Sequence, residues 1–306
     1  MSSNARLKPP RLPSQRCSAR TVFEFTQVSE LLLSMLSAFI CMTCGTQYPP
    51  SQEPPTSCDI CEDERQFVNP RGQTWTSLDE IRKFHRAVIS RHEVGLYGIG
   101  ATPELAIGER ALLVCSSLGN VLWDCLALLD DAITDFIRAM GGLSAIAISH
   151  PHFYTTMAEW SRVFGDVPIY LHNSNKSLVK RLDAPIRFWD RERILLNDEI
   201  SLIRVGGHFE GSTVLHWSGT ADRKGALLVG DSIHVARDRR WVTFMRSYPN
   251  FIPLPGIIVR QIADAVAELP FERLYGHFWE SVVTKDAKNV VLRSGQRYLH
   301  ALAPAI

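Results

Sequence analysis

The feature that most constrains this chain is a recurrence. Side chains of metal-binding type stand directly after short apolar runs, one run after another. Ala145-Ile146-Ala147-Ile148 leads into Ser149-His150-Pro151-His152-Phe153-Tyr154, and Ile200 to Val205 leads into Gly206-Gly207-His208. Gly225 to Val229 ends in Gly230-Asp231-Ser232, and Phe271 to Tyr275 ends in Gly276-His277. Each apolar run reads as a buried strand. Two histidines two residues apart at a strand end point the same way, and neutral imidazole is the commonest protein ligand for a transition metal. Three of the four ligand positions follow glycine, which permits close backbone approach. The rest of the chain can be read as what gathers the other ligands around the histidine pair.

With 306 residues the chain can bury a large core and fits one big domain plus a small module. The formal net charge of +1 gives no electrostatic reason to expect nucleic acid or an acidic membrane as partner. Seven cysteines, four of them in two C-x-x-C pairs, do not resemble a secreted disulfide framework. They point to a reducing compartment, with the cytoplasm as the expected location. Residues 1–38 stand apart as an extension. The first twenty residues carry Arg6, Lys8, Arg11, Arg16 and Arg20 with no acid and three prolines, a composition expected to be disordered. An Arg- and Ser-rich, acid-poor start is also that of a mitochondrial transit peptide, the alternative location. The apolar segment from Val28 to Ile40 is too short to span a bilayer.

Residues 39–67 form the small module. Cys41-Met42-Thr43-Cys44-Gly45 and Cys58-Asp59-Ile60-Cys61 are separated by thirteen residues rich in proline and polar side chains. Each C-x-x-C presents two thiolates from a tight turn, and two such knuckles close a tetrahedron around one ion. The intervening segment has too few apolar residues to fold alone, so metal binding would supply its folding energy. The pattern resembles short zinc ribbons and rubredoxin-like knuckles. Zinc is the expected ion, although four sulfurs also suit iron. With no open coordination position the site is expected to be structural.

From Ser77 to His92 the spacing of Leu78, Ile81, Phe84, Val88 and Ile89 predicts an amphipathic helix with Ser77 as N-cap and Glu80 completing a capping box. Strands are expected at 95–99, 111–115 and 120–125, the last two as a hairpin, with Cys115 and Cys125 as small buried hydrophobes. A helix over 130–140, a strand before the histidine pair, a helix through Met157, Trp160 and Val163, and a strand at 167–171 follow. The second half carries mostly antiparallel signals, then a helix from Ile257 to Leu269 and a last helix to about Leu302. The aromatic and proline-rich stretch 241–256 reads as a lid with an apolar wall or as packing on a sheet edge. His85, His92, His172, His216 and His234 read as ordinary structural histidines. His234, three residues after Asp231, is also placed to approach the site mouth.

Over roughly residues 94 to 300, the order His150-Pro151-His152-Phe153-Tyr154-Thr155, Gly207-His208-Phe209-Glu210-Gly211-Ser212, Gly230-Asp231-Ser232 and Gly276-His277 resembles the metallo-β-lactamase-fold hydrolases. In that family a strand ends in H-x-H-x-D-H, the next ligand sits in a G-H-x-x-G-S turn, a bridging aspartate follows in G-D-S/T, and a last histidine lies near the C-terminus. The resemblance implies an α+β chain whose residues 77–306 form an αββα sandwich, with the metal site at one edge. It departs where Tyr154 and Thr155 replace the motif's aspartate and histidine. One metal site would keep His150, His152 and His208, while the second would keep only Asp231 and His277. The expectation is therefore a single zinc ion on three imidazoles, with a water whose pKa falls to about 7 and which yields the attacking hydroxide. Asp231 would orient that water, and Tyr154 or His277 would donate a proton or hold a developing oxyanion. The reaction expected is hydrolysis of a small ester, thioester or lactone. Two alternatives stand beside it. His150, His208 and Asp231 also make a two-histidine, one-carboxylate set for non-haem iron, as the resemblance to the persulfide dioxygenases of this fold implies. A catalytically degenerate metal-binding or interaction protein is the other. The near-neutral charge and the missing second-site ligands speak against a nuclease.

Overall fold

The computed structural model describes residues 36–302. All but the last three residues of the expected N-terminal extension, and most of the Val28-to-Ile40 segment, lie outside the described residues. Strand β1 (Ile40–Cys41) opens the four-cysteine region, a single helical turn α1 (Asp59–Glu62) follows Cys58, and β2 (Trp75–Thr76) pairs antiparallel with β1.

Helix α2 (Leu78–Phe84) starts as predicted, with the Ser77 hydroxyl accepting the Glu80 N–H at 3.3 Å. It ends far earlier than its apolar spacing suggested, at His85. Residues Arg86–Glu93 are strand β3, paired residue by residue with β4 (Leu96–Thr102) from Arg86↔Thr102 to Arg91↔Tyr97. The reason is visible in the same residues. Val88 and Ile89 are β-branched, and Gly95, at φ 82°, makes a tight turn that offers a ready-made ladder to the following apolar run. Cross-strand pairing outweighs the helical period, and Ala87 and Ile89, both packed against the core, fit the alternation of a strand.

The first sheet continues in simple order through β5 (Ala111–Val114), β6 (Val121–Trp123), β7 (Ala145–Ala147), β8 (Ile169–His172) and β9 (Ile186–Trp189). The predicted hairpin of β5 and β6 is antiparallel, whereas β6 through β9 run parallel. Parallel neighbours need crossovers, and helices α3 (Asp131–Ala139) and α4 (Met157–Val163) supply two of them. Asp130 caps α3 by accepting the Ile133 N–H at 2.9 Å.

The second sheet takes β10 (Arg193–Asn197), β11 (Ile200–Arg204), β12 (Thr213–Trp217) and β13 (Ala226–Val229) as an antiparallel meander. Two small hairpin pieces follow, β14 (His234–Val235) with β15 (Val242–Thr243) and β16 (Met245–Ser247) with β17 (Ile252–Pro253). After helix α5 (Gly256–Ala267), β18 (Arg273–Tyr275) joins β13 in parallel, β19 (Val282–Val283) closes that edge, and helix α6 (Ala287–Leu302) ends the fold.

Strand alternation sorts the core into three layers. Ala111 and Leu113 of β5 face α3 and α4, while Leu112 and Val114 face the other sheet. Leu227 and Val229 of β13 likewise pack on α5 and α6, while Ala226 and Leu228 meet Trp123 and Trp217 between the sheets. The result is helices, sheet, sheet, helices: the αββα sandwich. Because β11, β13 and β18 share one direction, their carboxyl ends, followed by His208, Asp231 and His277, emerge at the same edge. Among the described residues no helix is long and apolar enough to cross a membrane.

Candidate metal centre

At that edge the expected ligands meet. Past β7 the chain enters a single 3-10 turn, Pro151–Phe153, which sets His150 and His152 on either side of its first residue. His150 Nε2 lies 3.2 Å from Asp231 Oδ2, His152 Nδ1 lies 3.5 Å from it, and His208 Nε2 lies 3.5 Å from it. The nitrogens of His152 and His208 are 3.3 Å apart. One ligand atom from each of His150, His152, His208 and Asp231 falls within 4.8 Å of the other three, and all four residues are buried. The opposite ring nitrogens fix the orientation: His150 Nδ1 meets Ser149 Oγ at 2.9 Å, and His208 Nδ1 meets the Met245 carbonyl at 3.2 Å. Gly230 lets the aspartate strand approach, since a Cβ there would stand 2.5 Å from Ser149 Oγ.

The protonation states suit a cation. Burial pushes His150 down to about 4 and His208 well below its ordinary value, so both rings are neutral. Burial works against ionisation of Asp231, yet the facing His277 and His150 hold its carboxyl well below the usual range. Neutral imidazole and ionised carboxylate are the ligating forms. His150 Nε2, His152 Nε2 and the Nδ1 atoms of His234 and His277 have no hydrogen-bond partner, an arrangement costly in a buried site that only protein atoms fill. The donor set therefore fits a divalent metal.

The structure distributes the remaining expected residues unevenly. His277 joins the centre, its Nε2 2.9 Å from Asp231 Oδ1. Tyr154, expected as a proton donor, is instead buried in the helix-side core, with its phenol beside Asn175 and outside the lining of the cleft. The position after the first aromatic of the histidine turn feeds α4 rather than the site, so the catalytic role expected for Tyr154 has no geometric basis. His172 caps a 3-10 helix through Ser174 N, and His216 binds the Pro270 carbonyl at 2.7 Å, both structural as read. His234 is different, grouping with Asp231 and His277.

Other contributors carried no signal in the sequence. Asp124 closes β6 at φ 63° and accepts the Ser149 N–H at 2.7 Å, bracing the exit of the histidine strand. Buried Arg110 holds the His277 turn, donating to the Gly276 carbonyl at 2.9 Å while its own N–H meets the His277 carbonyl at 2.8 Å. Tyr248 donates its hydroxyl to the Asp231 carbonyl at 2.8 Å. The stretch 241–256 divides between both expectations: Val242, Phe244 and Leu254 pack into the core, whereas Tyr248 and Pro249 line the cleft.

The four cysteines form the second cluster. The Cys41–Cys61 and Cys44–Cys58 sulfurs are each 3.6 Å apart, close to the ~3.8 Å edge of a tetrahedron with zinc–sulfur bonds of ~2.3 Å and far from a disulfide. Gln73 Nε2 donates to Cys41 Sγ at 3.1 Å. Hydrogen bonds from Cys44, Cys58 and Cys61 hold Cys41 far below the usual thiol range while Cys44 is pushed well above it. Four neighbouring thiols cannot all ionise unaided, and a cation at their centre removes that conflict. This region also walls the cleft. Met42, Thr43, Arg65 and Phe67 line a cavity of about 450 Å³ whose floor is His152, His208 and Asp231. Arg65 donates to the His208 carbonyl at 2.7 Å, stacks 4.3 Å over Phe209, and is paired with Asp63.

No family model matches the chain. Over 266 residues it is 47% identical to the uncharacterized protein YmaE of Bacillus subtilis (strain 168), an alignment covering 86% of this chain and 96% of YmaE. The chain belongs to the YmaE family. Among solved structures it is similar to VMB-1 (TM-score 0.53, 14% identity, covering 71% of this chain and 99% of that one). It is also similar to the DIM-1 metallo-β-lactamase (TM-score 0.51, 13% identity, covering 71% and 98%). Identities this low speak to architecture, and this YmaE-family chain has the metallo-β-lactamase fold.

Proposed function

We infer that the chain is a metal-dependent hydrolase of a small, uncharged carbonyl substrate of the ester, thioester or lactone kind. The observation that carries this reading is the convergence of His150, His152, His208 and Asp231, the last three forming the floor of a cleft with largely apolar walls. Zinc is the ion this nitrogen-rich set suits, and when bound it supplies Lewis acidity toward a carbonyl oxygen and a lowered pKa for a coordinated water. The chain's own residues do the rest. Three neutral imidazoles would leave the ion's charge undiminished. Asp231, ionised and wedged among them, is placed to take a proton from the attacking water, and His277 at 2.9 Å steadies its other oxygen. Ala106, Ile107, Phe67 and Phe278 exclude solvent and offer apolar contact.

The pairing of Arg65 supports an uncharged substrate. Its guanidinium is engaged by Asp63 and by the His208 carbonyl, so it offers little to an anionic group. The test is zinc-loaded protein against a panel of neutral esters, thioesters and lactones. Turnover should vanish in His208→Ala along with about one equivalent of zinc. Zinc loss without any effect on turnover, or full zinc occupancy in the variant, would overturn the assignment. Activity restored by ferrous iron and oxygen rather than zinc would favour the iron reading of His150, His208 and Asp231.

A further inference from the structure

We propose that Gln66 is a substrate-binding residue whose carboxamide accepts a hydrogen bond from a neutral N–H or O–H group, so that the cleft selects carbonyl compounds carrying such a donor. The proposal rests on the hydrolase reading above and narrows its substrate class. It concerns a side chain of the cysteine region, outside the histidine turns.

An unpartnered polar atom is the first observation. Gln66 lines the cleft with only 4% of its surface exposed, and its Oε1 meets no hydrogen-bonding group of the protein. Buried side-chain oxygens are normally satisfied, and leaving one without a partner is costly. The metal centre does not account for this atom, because a neutral amide oxygen is not among the usual ligands of zinc. How firmly the surrounding backbone is held makes the second observation. The Gln66 N–H donates to the Asp63 carbonyl at 2.9 Å. Asn250 Nδ2 donates to the Glu64 and Gln66 carbonyls, both at 2.9 Å, and Ser247 Oγ donates to the Arg65 carbonyl between them at 3.3 Å. Arg65 is itself anchored to the His208 carbonyl. Three consecutive carbonyls are thus tied down, which keeps Gln66 on the wall of the cleft. Its last side-chain torsion stays soft, so the carboxamide can turn to meet a bound molecule. An acceptor placed in advance loses little freedom on binding.

The chemistry of the partner follows from the atom. An amide oxygen accepts, so the substrate must donate. A positively charged donor would face the metal's own charge across the same cleft, which leaves an uncharged hydroxyl or amide as the match. Met42 and Phe67 stand on the same side of the cleft, and in such apolar surroundings a hydrogen bond counts for more than in water. A substrate without the donor would cover Oε1 and leave it unpaired, the means by which a polar group in a site rejects an analogue.

The test uses the full chain loaded with zinc and matched pairs of probes. One member of each pair carries the donor and the other has it capped: β-hydroxy-γ-butyrolactone against its methyl ether, and a β-acetamido ester against its N-methyl form. The two pairs tell a hydroxyl donor from an amide one. Hydroxycyclopentanone and methoxycyclopentanone, which cannot be hydrolysed, serve as binding probes in calorimetry. Wild type should prefer the donor-bearing member of at least one pair by about 10-fold in kcat/KM, and the hydroxyl ketone by a similar factor in Kd if the donor is a hydroxyl, the size of one hydrogen bond. Gln66→Met, similar in shape but without the acceptor, should abolish that preference, whereas a steric preference for the smaller member would survive the substitution. Gln66→Glu should shift preference toward the β-amino lactone, whose ammonium group suits a carboxylate, a change that a packing role would not produce. If Gln66→Met does not fold, the wild-type pairs and Gln66→Glu decide the matter. A wild type that treats both members of both pairs alike, or a folded Gln66→Met variant that keeps the preference, would overturn the proposal and leave the hydrolase reading intact. Tighter binding of the hydroxyl ketone that depends on Gln66, with no turnover of any lactone or ester, would overturn the hydrolase reading and support the binding role.

Discussion

Single side chains show how unevenly burial is compensated in this molecule. Glu109 is 4% exposed, with Oε1 unpartnered and Oε2 accepting only the Ile107 N–H at 3.3 Å, and burial pushes its carboxyl up to about 8. An unfolded Glu titrates near 4.3, so between about pH 4 and pH 8 the folded chain holds a proton that the unfolded chain has released. Stability therefore falls as pH rises through that window, by at most about 1.4 kcal/mol per unit from this group. Glu109→Gln keeps the shape and cannot ionise. Urea denaturation at several pH values should show the variant gaining on wild type as pH rises, and parallel curves would refute the claim. At this scale the sequence revealed some residues and concealed others. His150, His152, His208, Asp231 and His277 were legible because each follows an apolar run. Asp124, Arg110 and Arg65 were not, since a carboxylate closing a strand or an arginine in a loop looks the same whether it braces a site or faces water. His216 and His234 both sit in or beside apolar runs, and proximity to Asp231 in sequence is what sets His234 apart as a neighbour of the site mouth.

Between elements the cysteine region is the informative one. In sequence it reads as a separate module, yet Gln47 N–H meets the Thr155 carbonyl at 3.2 Å and Asn250 donates to the Glu64 and Gln66 carbonyls, both at 2.9 Å. Arg65 then reaches the His208 carbonyl. The cage thus supports one wall of the cleft and one ligand of the centre. Cys58→Ser, by opening the cage, should cost several kcal/mol of stability, since structural zinc sites bind with ~10 kcal/mol or more. It should also weaken zinc at the histidine centre. Arg65→Ala separates the two effects: the cage stays closed, and central affinity should fall about 10-fold, the usual cost of losing a group that positions a ligand. Competition with a chromophoric chelator measures both, and an unchanged central affinity in both variants would show that the wall and the centre are independent. The same scale holds the largest misreading of the fold. Helical spacing over residues 77–92 was genuine for α2 but also compatible with β3, and only the hairpin partner beyond Gly95 decided between them. No window of sequence that short contains its partner's vote.

Across the whole molecule a metal at the centre would act as a clasp. His150 and His152 follow β7 of the seven-stranded sheet, whereas His208, Asp231 and His277 follow β11, β13 and β18 of the six-stranded sheet. Away from that edge the sheets are joined by the apolar layer of Leu112, Trp123, Leu215 and Trp217. An ion that binds only the folded state at a concentration 1,000 times its Kd adds about 4 kcal/mol, and at this centre that energy would be applied where the two sheets meet. Removing it leaves the buried, ionised Asp231 with only the facing His277 and His150 to hold its charge. Chelation mild enough to spare the cysteine cage should therefore lower the melting temperature. It should also raise amide exchange selectively in segments 148–156, 206–212, 230–235 and 276–281, while β5, α3 and α6 keep their protection. Uniform loss of protection would mean that the ion holds up the entire fold. Unchanged exchange at the four segments would mean that the sheets need no clasp, and the energetic role assigned to the centre would fall with it.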